Sequence, residues 1–328
     1  MNSEFKYLPI KSSLKSRHLQ YREPQNPVRY AFMKYLREYN PTKKVYDVNP
    51  YCEVFQLREN LYGLFADSLS GVADQWMYVL IGPEKAMVID TGYGAGDLKA
   101  LVETIVGDMP YYVVNTHGHP DHAGGNMWFD RVYCHEYEVE MIRDMESPDM
   151  WDSLYNEDGS CKYTYFEKED MVPFRDYELI GCQDGYVFNL GGDYDVELIH
   201  VPGHSAGHCV LLDKKERILF GGDDMCIGVL HIGIAGKSSY TQYATVTGLR
   251  DGLQKLVARL DEFDGIFPGH GIVDIGSSWI LDILETCNSI LADPLNYDVQ
   301  MPVFSGMPMR YGKKIHDSGY LTYELGSL

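Results

Sequence analysis

The most constraining feature of this 328-residue chain is a group of histidines that directly follows a short apolar segment. Residues 111–115, YYVVN, have the composition of a buried β-strand, and residues 116–122 continue as THGHPDH. In an extended segment, residues i and i+2 point to the same side. His117 and His119 can therefore bind one metal ion from the end of the predicted strand.

The second half of the same motif predicts a second binding point. Gly118 and Pro120 favour a turn after the strand, and Pro120 suits the first position of a helix. Such a turn would present Asp121 and His122 close to the first two imidazoles. Imidazole and carboxylate ligands together suit Zn, Fe or Mn. The motif therefore predicts a metal centre at a strand end.

Four further polar residues occupy one kind of local setting, an apolar segment that ends in a Gly-containing turn. They are Asp90 in VIDTG, His204 in VPGHS, Asp223 in LFGGD and His270 in FPGHG. A sheet that delivers side chains from its strand ends to one edge is a rigid scaffold for a metal site. We therefore expect these four side chains to lie beside the 117–122 motif.

Hydrophobic patterning indicates a layered α/β fold. Residues 77–81 and 86–90 flank a Gly-Pro-Glu turn, and residues 209–212 and 217–220 flank a charged turn, so each pair predicts a hairpin. Because hairpins precede helices along the chain, we expect an α/β sandwich rather than a doubly wound parallel sheet. The segments with helical periodicity are 28–39, 97–106, 243–260 and 279–291. The last 35 residues are predicted to be rich in turns.

Charge divides the chain into a basic arm and an acidic body. The total is −20, yet residues 1–44 hold ten Lys or Arg and three Glu, a net +7, which leaves −27 for the remainder. Such a body would repel nucleic acid and anionic membranes, and the arm would contact that body or a neighbouring subunit. We expect an arm over 1–50 that supplies a homodimer contact. The predicted body is a domain over 51–275 with an insert at about 136–190, followed by a C-terminal helix and tail over 276–328.

Three features of the sequence favour a cytoplasmic protein. No stretch of about 18 apolar residues predicts a transmembrane helix. The first residues, MNSEFKYLPIKSSLK, lack the apolar core of a secretory signal. The seven cysteines are scattered without a CxxC pair, which indicates reduced thiols.

The chain resembles the metallo-β-lactamase fold superfamily from about residue 51 to 270, with all five of the family's motifs in order. The resemblance implies an α/β fold built as a four-layered αββα sandwich. It also implies a binuclear metal site in which Asp223 bridges two ions and Asp90 orients a ligand histidine or loop by hydrogen bonding. The implied ligands are His117, His119 and His204 for one ion, and Asp121, His122 and His270 for the other.

The resemblance further implies a metal-dependent hydrolase of the glyoxalase II and lactonase kind. Asp223 stands where the zinc-cysteine lactamases carry Cys, and Cys226 does not fit that spacing. A hydroxide bridging two divalent ions, with Zn preferred over Fe or Mn, would attack a carboxylic ester, thioester, lactone or amide in a small-molecule substrate. Asp121 would be catalytic by orienting the hydroxide, and His231 is a candidate substrate contact.

Alternatives remain open at this point. A phosphodiesterase or a mononuclear-iron dioxygenase could have the same scaffold. A third alternative is a binding protein that the metal stabilises and that has no catalytic activity. Asp224 could replace its neighbour Asp223 as the bridging residue. The sequence GHSAG also matches a serine-hydrolase elbow, with Ser205 as the nucleophile and Asp223 and His270 as its partners. That elbow requires a following helix, whereas residues 209–212 have the pattern of a strand.

Overall fold

A computed structural model describes residues 36–37, 39–71, 73–303 and 308–328. Most of the predicted arm, its homodimer contact and most of the helix expected at 28–39 lie outside the described residues. The described end of the arm contacts the acidic body of the same chain. Arg37 forms ion pairs with Glu53 at 2.8 Å and with Asp67 at 2.9 Å.

The first of two large sheets has eight strands that follow one another in space as they do in sequence. Its strands are β1 (Lys44–Tyr46), β2 (Asn49–Gln56), β3 (Leu61–Ala66), β4 (Gln75–Ile81), β5 (Ala86–Ile89), β6 (Tyr111–Val114), β7 (Arg131–His135) and β8 (Glu178–Cys182). The predicted hairpin of β4 and β5 is confirmed, with Tyr78 opposite Ile89. Strands β5 to β8 run parallel, so the segments after β5 and β6 leave the sheet at the same edge.

The second sheet has six strands in the order β15-β14-β12-β11-β10-β9. Its strands are β9 (Val187–Asn189), β10 (Asp195–His200), β11 (Cys209–Asp213), β12 (Ile218–Gly222), β14 (Gly265–Pro268) and β15 (Ile275–Gly276). The predicted hairpin of β11 and β12 is confirmed. Because β12 and β14 are parallel, the turns that carry Asp223 and His270 emerge side by side.

Helices cover the outer face of each sheet. The helices are α1 (Leu98–Val106), α2 (Pro120–Ala123), α3 (Val139–Met145), α4 (Val246–Val257) and α5 (Trp279–Ala292). Helix α1 buries Leu101 on the first sheet, whereas α4 and α5 bury Leu253 and Ile283 on the second. Between the sheets lies an aromatic core that includes Trp76 and Phe220. The expected four-layered αββα sandwich is therefore confirmed.

Local signals explain the starts of two helices. Asp97 caps α1 by accepting a hydrogen bond from the amide of Ala100 at 2.8 Å. Thr245 caps α4 in the same way through the amide of Gly248 at 2.9 Å. The cap at Thr245 places the start of α4 a few residues after the predicted start at 243.

The expectation of a turn-rich C-terminus is wrong for residues 299–302, 309–315 and 319–323, which form three strands of a third sheet. Its order is β13-β18-β17-β16, with β13 (Gly228–His231), β16 (Val299–Pro302), β17 (Met309–Ile315) and β18 (Gly319–Tyr323). Strand β17 buries Arg310 and Gly312 and exposes Met309, so it lacks the apolar alternation that would mark a strand. Within residues 136–190, which are predicted to form an insert, strands β8 and β9 belong to the two main sheets.

All seven cysteines are free thiols. Among the described residues, none of the helices has the length and apolar character that a membrane crossing requires.

Candidate metal centre

The strand ends of both sheets bring the predicted residues together at one edge. The loop after β6 carries His117 and His119, and His119 directly precedes α2, which carries Asp121 and His122. The imidazole of His117 is completely buried, and its Nε2 atom has no hydrogen-bond partner among the described residues. A buried nitrogen without a hydrogen-bond partner is costly, and a cation bound to it would remove that cost.

The first group of candidate ligands contains His117, His119 and His204. One nitrogen from each of these three rings lies within 4.8 Å of the others. His119 Nδ1 and His204 Nε2 are 2.8 Å apart. Three converging imidazoles are a common protein donor set for Zn.

The second group contains Asp121, His122 and His270. The Nε2 atoms of His122 and His270 are 3.2 Å apart, and His270 Nε2 lies 3.3 Å from Asp121 Oδ2. All three ligand atoms lie within 4.8 Å of one another. Asp121, His122 and His270 therefore form a second cluster of potential ligand atoms beside the first.

Asp223 lies between the two groups and directs one oxygen toward each. Its Oδ2 atom is 3.3 Å from His204 Nε2 and 3.9 Å from His117 Nε2. Its Oδ1 atom is 3.2 Å from His122 Nε2 and 3.4 Å from His270 Nε2. A carboxylate in this position can join two adjacent cations.

Backbone carbonyls fix which nitrogen of each imidazole faces the centre. A carbonyl can only accept, so the ring nitrogen beside it carries the proton and the opposite nitrogen presents a lone pair. His119 Nδ1 and His204 Nε2 thus present two lone pairs to each other, an arrangement that a cation between them would stabilise. The outward hydrogen bonds run from His119 Nε2 to Ile234 O (2.8 Å), from His204 Nδ1 to His231 O (2.6 Å) and from His270 Nδ1 to Asp74 O (2.8 Å).

Asp90 orients both His122 and the loop after β6. Its Oδ2 atom lies 2.8 Å from His122 Nδ1, and it also accepts a hydrogen bond from the Thr116 hydroxyl at 2.8 Å. Its Oδ1 atom accepts from the Thr116 amide at 2.7 Å. Asp90 is buried and has a positive φ of 62°, so the turn after β5 aims its side chain at its partners. Asp90 therefore contacts one candidate ligand histidine and the loop that carries two others.

The electrostatics differ between the two groups. Burial lowers the pKa of His117 and of His204 well below the usual value, which keeps both rings neutral and able to donate a lone pair. Burial also opposes protonation of His122, but Asp223 and Asp121 outweigh that effect and raise its pKa to about 10. The carboxylates of Asp121 and Asp223 therefore stabilise a positive charge at the second group, and a divalent cation would supply that charge.

Comparisons with known proteins agree with this geometry. The family model described as the metallo-beta-lactamase superfamily matches residues 70–223. The human acyl-coenzyme A thioesterase MBLAC2 is 30% identical over 216 residues, which cover 59% of this chain and 72% of that protein. This chain belongs to the metallo-β-lactamase superfamily.

Two further comparisons extend the result. Hydroxyacylglutathione hydrolase GloC of Haemophilus influenzae is 25% identical over 189 residues, which cover 57% of this chain and 81% of that protein. A metallo-β-lactamase from Pontibacter korlensis shares the fold, with a TM-score of 0.51 and 19% identity over 72% of this chain and 99% of its own. The expected superfamily, fold and hydrolase class are confirmed. Members of the superfamily bind divalent metals, and the His/Asp groups of this chain can hold them.

Three other residues singled out in the sequence lie outside the two ligand groups. Asp224 is buried and accepts a hydrogen bond from the His204 amide at 3.1 Å, so Asp223 fits the bridging position better. The ring of His231 hydrogen-bonds to the Thr322 hydroxyl at 2.7 Å. Ser205 is buried, and a strand rather than a helix follows it, so the context of a serine-hydrolase elbow is missing.

Glu138 is a buried acid that no local sequence pattern indicates, and it joins two loops of the candidate metal centre. Its fully buried carboxylate accepts hydrogen bonds from the amide of Gly118 at 2.7 Å, the amide of Gly207 at 2.5 Å and the hydroxyl of Ser205 at 2.7 Å. Gly118 lies between two candidate ligands, and Ser205 follows a third. Glu138 therefore fixes the spacing between these loops.

His208 is the second residue that the sequence did not indicate. Its Nε2 atom accepts hydrogen bonds from the amides of Asp223 at 3.0 Å and Asp224 at 3.4 Å. Its Nδ1 atom donates to the carbonyl of Val201 at 3.1 Å. Burial lowers the pKa of His208 to about 3, so the ring stays neutral and can accept from the turn that carries Asp223.

Proposed function

We propose that this chain is a binuclear metal-dependent hydrolase that cleaves a thioester. The observation that carries the proposal is the position of Asp223, which directs one carboxylate oxygen to each of two ligand groups. Zn is the first choice of metal because histidine-rich sites with carboxylates suit it, and Fe or Mn are alternatives. The first ion would be held by His117, His119 and His204, the second by Asp121, His122 and His270, and both by Asp223.

The choice of a thioester rests on the two named relatives. Acyl-coenzyme A thioesterase and hydroxyacylglutathione hydrolase are both names for enzymes that release an acyl group from a thiol carrier. An aspartate rather than a cysteine at position 223 is in keeping with that branch. Carboxylic esters, lactones and amides have the same carbonyl electrophile and are the next substrates to test.

Divalent ions, when bound, lower the pKa of water toward 7 and polarise a carbonyl oxygen. Asp121 would accept a hydrogen bond from the attacking water and orient it. Burial acts to raise the pKa of Asp121, but His122 and His270 lower it to about 2. The carboxylate is therefore anionic at neutral pH and able to accept that hydrogen bond.

A cavity beside the second group is the proposed site for part of the substrate. Its volume is about 80 Å³, and its walls include Leu69, Gln75, Met77, Thr91 and Tyr93. Gln75 pairs with His270 as an isolated bridge, and the Thr91 hydroxyl donates to the His122 carbonyl at 3.0 Å, so two cavity walls contact the backbone of segments that carry candidate ligands. Its lining combines apolar side chains with the ion pairs that Arg37 forms with Glu53 and Asp67, so it suits a part of the substrate that carries polar groups.

The free thiols support a cytoplasmic location, which we propose with the function. Burial raises the pKa of Cys134 and of Cys209 well above the usual thiol value, so neither is readily ionised.

The first test combines metal analysis with a thioester assay. We expect about two divalent ions per chain, and release of free thiol from acyl-coenzyme A and acylglutathione substrates. Asp121→Ala should reduce turnover by at least about 100-fold while the protein stays folded, because the anionic group beside the water is removed. The exposed Asp193→Ala variant is the control and should match the wild type. A single iron with oxygen-dependent turnover, or a metal-free protein, would contradict the proposal.

A serine variant separates the metal mechanism from a serine mechanism. Ser205→Ala removes one hydrogen bond to Glu138 but no candidate metal ligand. We expect thioester hydrolysis within about threefold of the wild type and a loss of roughly 1 kcal/mol in unfolding free energy. Abolished hydrolysis with unchanged metal content would instead support Ser205 as the nucleophile.

A further inference from the structure

The third sheet contacts the metal centre through one short segment, residues 231–234. Three of its carbonyl oxygens accept side-chain hydrogen bonds. The His231 carbonyl accepts from His204 Nδ1 at 2.6 Å, and the Ile234 carbonyl accepts from His119 Nε2 at 2.8 Å. Between them, the Ile232 carbonyl accepts from Arg310 Nη2. Residues 231–234 thus accept hydrogen bonds from two candidate ligands and one buried arginine.

Strand β18 holds this segment in place. Strand β13 pairs with β18 in parallel, with His231 opposite Thr322, and β18 is its only sheet partner in the described part of the chain. Thr322 forms two hydrogen bonds with this segment. Its carbonyl accepts from the Ile232 amide at 3.0 Å, and its hydroxyl bonds to His231 Nδ1 at 2.7 Å. The backbone that orients the two imidazoles therefore depends on residues about 90 positions later in the sequence.

Arg310 bonds both to the backbone of this segment and to one acidic side chain. Its residue is 5% exposed, and its Nη1 atom lies 3.3 Å from Glu324 Oε1 at the surface. A buried guanidinium is costly unless it is hydrogen-bonded, so the bond to the Ile232 carbonyl is strongly favoured. That bond fixes the direction of the peptide between the carbonyls that hold His204 and His119.

We propose that Arg310 and Thr322 are positioning residues for the group formed by His117, His119 and His204. They act through residues 231–234, set the orientation of two imidazole rings and thereby raise the affinity of this group for its metal ion. The inference rests on the proposed metal centre. It assigns a role in that centre to a sheet beyond the family match at residues 70–223.

Metal titration of the apo-protein tests this inference. Wild type, Arg310→Met, Arg310→Lys and Thr322→Val would be titrated with Zn in competition with a chromophoric chelator, and with Co for the visible spectrum. Removing a hydrogen-bonding partner behind a metal ligand typically weakens metal binding by about 10- to 100-fold. We expect a loss of about 10-fold at one of two sites, an altered Co spectrum and an unchanged affinity at the other site.

Two control variants match these changes. Lys314→Met removes a cation from the same strand, but the Lys314 side chain is exposed and pairs only with Asp317 among the described residues. Thr286→Val removes a buried hydroxyl from α5. Both controls should bind metal like the wild type. Circular dichroism of each apo-protein would confirm folding, and Thr322→Val with Arg310→Lys would carry the comparison if Arg310→Met does not fold.

The outcomes separate the inference from the proposed function. A wild type that binds two ions, with Arg310 and Thr322 variants that bind both equally well, would overturn the inference and leave the hydrolase proposal intact. An equal loss of metal affinity in Lys314→Met would also overturn the inference, because any substitution in this sheet would then weaken metal binding. A wild type that binds no metal would instead defeat the proposed function itself.

Discussion

Asp223→Asn is expected to reduce the metal content from about two ions to about one and to lower hydrolysis by at least about 100-fold. Asp223 lies within 4 Å of candidate nitrogens in both groups. An amide keeps the shape of the side chain but loses its charge and one of its two ligand oxygens. One cation would thus lose a ligand, and the negative charge that neutralises the two cations would be reduced.

The neighbouring Asp224→Asn variant is the matched control. Asp224 is buried next to Asp223, and burial raises its pKa well above the usual value for an aspartate. A neutral amide is therefore a close replacement for it, and its partners are the His204 amide and His208 rather than a cation. We expect elemental analysis to give about two ions for this variant. If Asp224→Asn loses metal and Asp223→Asn does not, the assignment of the bridging residue is reversed.

The candidate ligands could be predicted because each has a local signal. His117 and His119 share one face of an extended segment, and His204, Asp223 and His270 each follow an apolar strand at a Gly-containing turn. These are properties of a few consecutive residues, and the parallel pairing of strands then brings the turns together. The structure places the side chains of all seven candidates together, and the ligand atoms within each group lie within 4.8 Å of one another.

The supporting residues could not be predicted because their partners are distant in sequence. Glu138 bonds to residues 20 and 69 positions away, and nothing near it marks a buried acid. Arg310 occupies a buried position in β17 where an apolar residue would reveal the strand. In both cases a charged side chain is stabilised inside the protein only by tertiary hydrogen bonds, so local patterns suggest an exposed residue.

Glu138→Ala is expected to have the largest effect on stability. The change leaves two backbone amides, those of Gly118 and Gly207, without their hydrogen-bond acceptor in a buried site. The hydroxyl of Ser205 loses the same acceptor. An unsatisfied buried donor costs roughly 1–3 kcal/mol, so the apo-protein should lose about 3–5 kcal/mol in unfolding free energy. Urea unfolding of the metal-free protein measures this loss directly.

Two variants show whether the charge or the acceptor oxygens of Glu138 are required. Burial raises the pKa of Glu138, so the charged form is already disfavoured there, and Glu138→Gln should retain more stability than Glu138→Ala. Glu140→Ala removes an exposed carboxylate that accepts from the Ser239 amide at 2.7 Å, and should cost less than about 1 kcal/mol. Because Gly118 separates His117 from His119, Glu138→Ala should also weaken metal binding at the first group. Unfolding at the wild-type urea concentration with unchanged metal affinity would show that the two loops keep their spacing without Glu138.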